Sequence, residues 1–159
     1  MTLVVPEVRD ARRGDLAGIV AVDAAITGEA KPAYWQRILE AYGGAPKDRV
    51  ALVAVDDAGE IVGHLFGEVR AWEFGSAPCG WVFSIGVQPR RARKGTATEL
   101  CRHALARFHD LGVDVIRTMV RRGDVPVLAF FRSQGFVGGP FSEMERRIDR
   151  RDALGTDAP

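Results

Sequence analysis

The run Val87-Gln88-Pro89-Arg90-Arg91-Ala92-Arg93-Lys94-Gly95-Thr96-Ala97-Thr98 carries a β-rich segment through a basic, glycine-containing turn into a strongly periodic apolar stretch. Those residue types in that order describe an anion site. The first turn of a helix leaves about four backbone N–H groups without intrahelical partners, and the helix dipole places partial positive charge at the same end. A phosphate is the natural occupant of such a terminus. Gly95 lets the backbone approach it with no Cβ in the way, Ala97 keeps the next turn slim, and Thr96 and Thr98 offer hydroxyl donors. Arg90, Arg91, Arg93 and Lys94 add charge around it. By itself the stretch also fits a plain helix start on a solvated basic turn.

Proton-transfer chemistry has fewer spokesmen. Glu68 shares strand parity with His64 and Phe66, so it can serve as a base, although an exposed strand carboxylate fits the pattern as well. His64 can relay a proton, or sit half-buried with a hydrogen bond. His103 and His109 are six apart on one helical stretch and point to nearly opposite sides, which excludes a shared metal. Cys101 falls on an apolar stripe and reads as a small core residue. Cys79, between Pro78 and Gly80, reads as an exposed loop thiol. Neither cysteine has the spacing of a zinc site, and two cannot frame a disulfide-built fold.

These groups need elements to hold them. Val4 to Arg9 reads as a strand, followed by a helix capped by Asp15 with Leu16, Ile19, Val20, Asp23 and Ile26 at helical spacing. The Thr27–Lys31 loop breaks that pattern and is placed to contact a substrate. Pro32 opens a second helix whose face is Trp35, Ile38, Leu39 and Tyr42, ended by Gly43-Gly44. Tyr34, Trp35 and Tyr42 can line a pocket there, though their spacing fits a core face first. Val50–Val55 and Ile61–Val69 flank Asp56-Asp57-Ala58-Gly59-Glu60, the composition of a hairpin. Trp81–Val87 is a fourth strand. From Thr96 on, Ala97, Leu100, Cys101, Ala104, Leu105, Phe108 and Leu111 repeat at three and four, the clearest helix in the chain. Val113–Val120 reads as a fifth strand, Asp124 and Pro126 open a helix that stops at Gly135, and Phe141–Ile148 reads as a last strand.

At 159 residues, 47% hydrophobic and 27% charged, the chain has the make-up of one globular domain, assigned to residues 1–150, with 151–159 a frayed tail. No apolar run approaches the roughly 18 residues of a membrane span, and the expected compartment is the cytoplasm. A net charge of +1 gives no global field to steer nucleic acid, and the one basic turn lacks interleaved aromatics. Helices set between strands, with one clear hairpin, indicate an α/β (α+β) class with a mixed sheet.

The segment from Val82 to Ile148 resembles the second half of a GNAT (GCN5-related) N-acetyltransferase. Gly95-x-Ala97 stands at the family's Gly-x-Gly/Ala pyrophosphate loop, and Asp124, Phe130-Phe131 and Gly135-Phe136 match its Asn, aromatic and Gly-Phe segment. Met144 stands where the family's last strand often has one. The resemblance implies a mostly antiparallel sheet of about seven strands, flanked by about four helices and splayed between strands four and five. It implies acetyl-CoA as cosubstrate, with pantetheine along Ile85, Gly86 and Val87 and pyrophosphate on the amides from Ala92 through Arg93, Lys94, Gly95 and Thr96 to Ala97. Thr98, Asp124 and Phe131 complete the implied cofactor contacts. The acceptor implied is an amine of a small molecule, amino acid or protein, and a homodimer is common in the family. Three departures stand out. The family's usual Gln or Arg three residues before the first glycine appears here as Ala92. The family's frequent acidic residue on the fourth strand appears here as Ser84, and its thiolate-protonating tyrosine as Phe131. The base is therefore unassigned among Glu68, Ser84 and His64, and a CoA-binding sensor without turnover is the alternative reading.

Overall fold

The computed structural model describes residues 4–44 and 46–149. The chain runs β1 (Glu7–Asp10), α1 (Leu16–Thr27), α2 (Pro32–Tyr42), β2 (Arg49–Val55), β3 (Ile61–Arg70), β4 (Cys79–Val87), α3 (Thr96–Asp110), β5 (Ile116–Thr118) and α4 (Val125–Ser133). The strands form one five-stranded sheet in sequence order. β1 to β4 pair antiparallel, and β5 joins β4 in parallel. The mixed α/β class stands, and among the described residues the strand count falls from about seven to five.

β2 is apolar along nearly its whole length because both of its faces are covered. On one side Val50, Leu52, Ala54, Val62, Leu65 and Val82 pack against Leu100, Ala104 and Phe108 of α3. On the other, Ala51, Val53 and Phe66 meet Ile19 of α1 and Trp35 and Leu39 of α2. α3 sits unusually low on the sheet. A Cβ built on Gly67 would fall 2.8 Å from the Phe108 ring and 2.7 Å from the Trp81 carbonyl, and one on Gly80 would fall 2.7 Å from the same ring. The two glycines thus make a dent in β3 and β4 that Phe108 fills, and its burial contributes about 1.5–3 kcal/mol.

The face under α1 and α2 holds an imidazole. His64 is buried, its ring 4.9 Å from that of Trp35 and 5.7 Å from that of Phe66. Burial drives its pKa down to about 4 against the opposing charge of Asp23, so it is neutral at physiological pH.

Four local expectations change. Asp15 does not cap α1 with its side chain; it lies in a short 3-10 turn, where its carboxylate accepts from the Arg12 amide at 2.7 Å and takes the Arg9 guanidinium at 2.8 Å. The bidentate arginine outcompetes the helix amides. Cys79 is buried as the first residue of β4, not exposed in a loop. The fifth strand shrinks to three residues because β4 offers it partners only from Gly80 to Val82. Phe141–Ile148 forms no strand: Val137, Met144 and Ile148 are exposed, and Phe141 lies under the Arg117 guanidinium instead. The expected tail at 151–159 lies outside the described residues.

Two outcomes test this packing. Gly67→Val forces Phe108 or the Trp81 backbone to move and is expected to cost about 1–3 kcal/mol in urea unfolding, with the fold retained. The second is a pH dependence. As pH falls through about 6.5 the unfolded chain's imidazole takes a proton, while the folded one does not until about 4, so the unfolded state binds more protons and stability falls. His64 is expected to contribute a loss on the order of 3 kcal/mol across that window, absent in His64→Gln.

Candidate functional site

The site begins where β4 loses its partner. Thr118 Oγ1 donates to the Val82 carbonyl at 2.9 Å, and no β4–β5 pairing is found beyond these residues. At the same level the β3–β4 register shifts: Phe66 faces Ser84 while Gly67 faces Val82, so Phe83 is the extra residue of a β-bulge. A bulge reverses the alternation of the strand that contains it. Before it, the Gly80 amide faces β5, donating to the Val115 carbonyl. After it, the Gln88 amide faces β3, donating to the Val62 carbonyl at 2.8 Å, so the N–H and C=O groups of Ile85 and Val87 point to the side that β5 has vacated. Gly86, between them, pairs with His64 and turns inward. The result is an open row of backbone donors and acceptors along the second half of β4.

That row leads to the anion site. After a short 3-10 turn at Pro89–Arg91, Gly95 takes φ +85° and starts α3. Glycine adopts this left-handed conformation without the Cβ penalty. A Cβ built there would meet nothing within 4 Å, so the space over the turn is open. Among the described residues, the amides from Arg93 to Thr98 have no hydrogen-bond partner, and the first α3 amide to find one is that of Glu99, on the Gly95 carbonyl at 2.9 Å. The Ala92 amide is different, since it donates to the Pro89 carbonyl at 3.1 Å inside the turn. Thr96 is buried against β3, its Oγ1 without a partner, while Thr98 Oγ1 accepts from Gln134 at 3.4 Å.

The four cations divide into two pairs. Arg90 is held by Glu60 at 2.9 Å and Arg91 by Asp56 at 2.8 Å, both from the β2–β3 turn. Asp56 also accepts from the Ala58 and Glu60 amides, so it fastens that turn to the 3-10 segment. Arg93 and Lys94 have no ion pair among the described residues. Neither Asp56 nor Glu60 stands out as more than hairpin composition in the sequence, because their partners lie some thirty residues away.

The remaining expected residues scatter. Asp124 accepts from the Val127 amide at 3.2 Å and caps α4. Phe131 is buried in a narrow apolar notch with Leu65, Val82, Cys101, Ile116 and Phe136. Glu68 is held by the Tyr42 hydroxyl at 2.6 Å and Arg70 at 3.0 Å. Burial pushes its carboxyl up, but these hydrogen bonds and the charges of Arg70 and Arg49 outweigh that and leave it a weaker base than usual. Burial and then Glu68 push the Tyr42 phenol up to about 12. Glu68 also pairs with Trp81, on the far side of the bulge from Ile85 and Val87. Ser84 and His64 do come together, with Oγ and Nε2 3.1 Å apart. Beside them Asp23 takes the Trp35 indole N–H at 3.0 Å and the Lys31 ammonium at 2.8 Å, which ties the Thr27–Lys31 loop to this corner. Among the described residues no group of His, Cys, Asp and Glu is arranged to hold a metal ion, and no helix is long and apolar enough to cross a membrane.

No curated protein sequence matches the chain significantly. Among solved structures, the aminoglycoside antibiotic 6'-N-acetyltransferase AAC(6')-IG from Acinetobacter haemolyticus superimposes with a TM-score of 0.73 at 21% identity, covering 90% of this chain and 99% of that one. A transcriptional regulator from Bacillus halodurans C-125 gives 0.74 at 20% identity, with 90% and 99% covered. The aminoglycoside acetyltransferase meta-AAC0020 from an uncultured soil metagenomic sample, in complex with sisomicin, gives 0.71 at 15% identity, with 90% and 96% covered. These likenesses establish the fold. The model of the acetyltransferase (GNAT) family matches residues 16–136, most of the chain, and the protein belongs to that family.

Proposed function

We propose that residues 1–150 act as a single acyltransferase domain that moves the acetyl group of acetyl-CoA directly to an amine. The observation that carries this reading is the run of unpartnered amides from Arg93 to Thr98 at the end of the free β4 edge. Amides in a helix first turn, with the adjacent charges of Arg93 and Lys94, suit a pyrophosphate. The Ile85 and Val87 backbone suits an amide-bearing arm, which can pair with it as an added strand does. The Val87 N–H is then available to the oxyanion that forms at the thioester carbonyl. Of the contacts assigned from sequence, Ile85 and Val87 and the amides of Arg93, Lys94, Gly95, Thr96, Ala97 and Thr98 retain that role in this proposal, while Gly86 is paired with His64. The amide of Ala92 and the side chains of Asp124 and Phe131 act by shaping the turn, the α4 start and the cleft wall.

The acceptor is an amine, and the aminoglycoside-modifying neighbours put aminoglycosides on the panel beside amino acids and peptide amines. The proposed compartment is the cytoplasm. A CoA-binding sensor without turnover is the second reading, favoured by the ion pairing that occupies Glu68.

Calorimetric titration with acetyl-CoA tests the site. Gly95→Trp fills the open space over the turn and is expected to weaken binding at least about 10-fold, the loss of one or two charge-assisted hydrogen bonds, in a protein that still folds. Unchanged affinity in the folded variant would count against the loop. Replacing Arg93 and Lys94 together by Gln is expected to weaken binding and to flatten its salt dependence, whereas Arg90→Gln should leave the salt dependence close to the parent's. Thiol release on offering the amine panel, measured against acetyl-CoA alone, separates the enzyme from the sensor.

A further inference from the structure

We propose that Ser84 and His64 form a two-residue proton relay that serves as both base and acid for acetyl transfer, Ser84 Oγ receiving the acceptor's proton as its own passes to His64 Nε2. This rests on the acetyltransferase reading above and names the groups it left unassigned.

The geometry is a consequence of the bulge. Without the extra residue at Phe83, Ser84 would point toward α3; with it, Phe83 and Ser84 both face α1 and α2. Phe83 packs on Tyr42 and Phe66, and Ser84 meets His64 at 3.1 Å. Ser84 is half-buried and adjoins Ile85, the first residue of the free edge. His64 is enclosed, so the Ser84 hydroxyl is its hydrogen-bonded route toward that edge. Gly86 makes the approach possible. A Cβ there would stand 2.9 Å from His64 Cε1, 3.2 Å from Nε2 and 2.9 Å from Ile26 Cδ1, so the imidazole lies across β4 only because residue 86 has no side chain. His64 Nδ1 has no protein partner among the described residues although the residue is only 2% exposed. A buried polar atom of that kind is uncommon and asks for a reason beyond packing.

The groups facing the ring decide what it can do. α1 contributes Asp23, whose negative charge favours a proton on the imidazole, and Asp23 is itself paired with Lys31 of the following loop. α2 contributes the Trp35 ring, β2 contributes Val53 opposite His64, and β4 contributes Ser84 and Gly86. No carboxylate touches the ring, and burial dominates, so neutral imidazole accepts a proton only transiently.

The step balances. The neutral amine attacks the thioester carbonyl, and the C–N bond forms as the carbonyl electrons move to oxygen. An N–H proton of the resulting ammonium passes to Ser84 Oγ while the Ser84 hydroxyl proton moves to His64 Nε2. The oxyanion electrons then re-form the carbonyl as the C–S bond breaks with its electron pair on sulfur. The imidazolium returns its proton through Ser84 to the thiolate, leaving amide, free thiol and neutral His64. Because a buried imidazolium is a strong acid, it suits the second transfer, where the family's tyrosine is replaced here by Phe131.

Two readouts test the relay. The first needs no acceptor: Ser84 can donate only if Nε2 is unprotonated, so 15N shifts of His64 in the whole protein, with acetyl-CoA added, should report the Nδ1–H tautomer. A protonated Nε2 in the neutral ring would overturn the relay. The second is thiol release at saturating acetyl-CoA, with glycinamide, an α-amine, as acceptor and with water alone. Ser84→Ala and His64→Gln should each lower kcat about 100-fold or more while acetyl-CoA affinity by calorimetry stays within about 2-fold. Ser84→Thr, which restores a hydroxyl, should recover most of the rate, and the solvent deuterium isotope effect of the parent should vanish in His64→Gln. Full turnover by Ser84→Ala sinks the relay with the acetyltransferase reading intact; failure of the parent to bind acetyl-CoA sinks that reading instead.

Discussion

The departure of β5 from β4 at Val82 is the constraint on which the rest of the molecule depends. A buried backbone edge must find hydrogen-bond partners, and a sheet normally supplies them from the next strand. Here the next strand supplies them for three residues and then leaves, while the bulge at Phe83 changes which backbone groups face the gap. The edge at Ile85 and Val87 is therefore both unpaired and aimed outward. A ligand that carries amides can complete the sheet, and the gap gives it room to lie flat against the strand.

The position of the free amides is set by α3, and α3 is set by Phe108. The ring fits the dent over Gly67 and Gly80, which draws the helix close to β3 and β4. The same closeness recurs one end further along, where Thr96 and Leu100 come within about van der Waals reach of Gly63. With the helix lowered and its first residue buried, the amides before Glu99 stand directly beyond the last residue of β4. The ion pairs of Arg90 and Arg91 with the β2–β3 turn hold the connecting segment, so the loop reaches its shape before a ligand arrives. Two cations position the loop, and two are left for charge. Such preorganisation favours binding because less chain has to be ordered on association.

Much of this was legible in sequence where the signal is local. The α3 periodicity, the Gly95 start, the hairpin around Asp56–Glu60, the break at Thr27–Lys31 and the Gly135 stop depend on neighbours within a few residues, and each appears as read. The failures share a cause. A strand exists only if an edge is offered to it, and nothing in Val113–Val120 or Phe141–Ile148 tells that β4 offers three residues to the first and none to the second. Arg90 and Arg91 look like ligands for the same reason that Arg93 and Lys94 do, since the carboxylates that hold them are remote in sequence. Ser84 and His64 were each visible as polar residues in strands. Their contact was not, because it depends on a one-residue bulge that alters no composition or period.

The absence of a carboxylate at Ser84 has a consequence for the choice of acceptor. A carboxylate near the thioester attracts an ammonium by its charge and so gathers even a strongly basic amine at the site. A neutral serine and a neutral, buried imidazole offer no such charge, and His64, with a pKa near 4, cannot compete for the proton of an alkylammonium. On this relay the acceptor must enter as free base. At neutral pH an α-amine with pKa near 8 is about one-tenth deprotonated, whereas a lysine-type amine near 10.4 is below about one part in a thousand. That difference of roughly 200-fold in usable substrate matches the upper end of what one added methylene contributes in an apolar pocket. On this relay, acceptor basicity therefore weighs as much as a close difference in shape in the choice of amine.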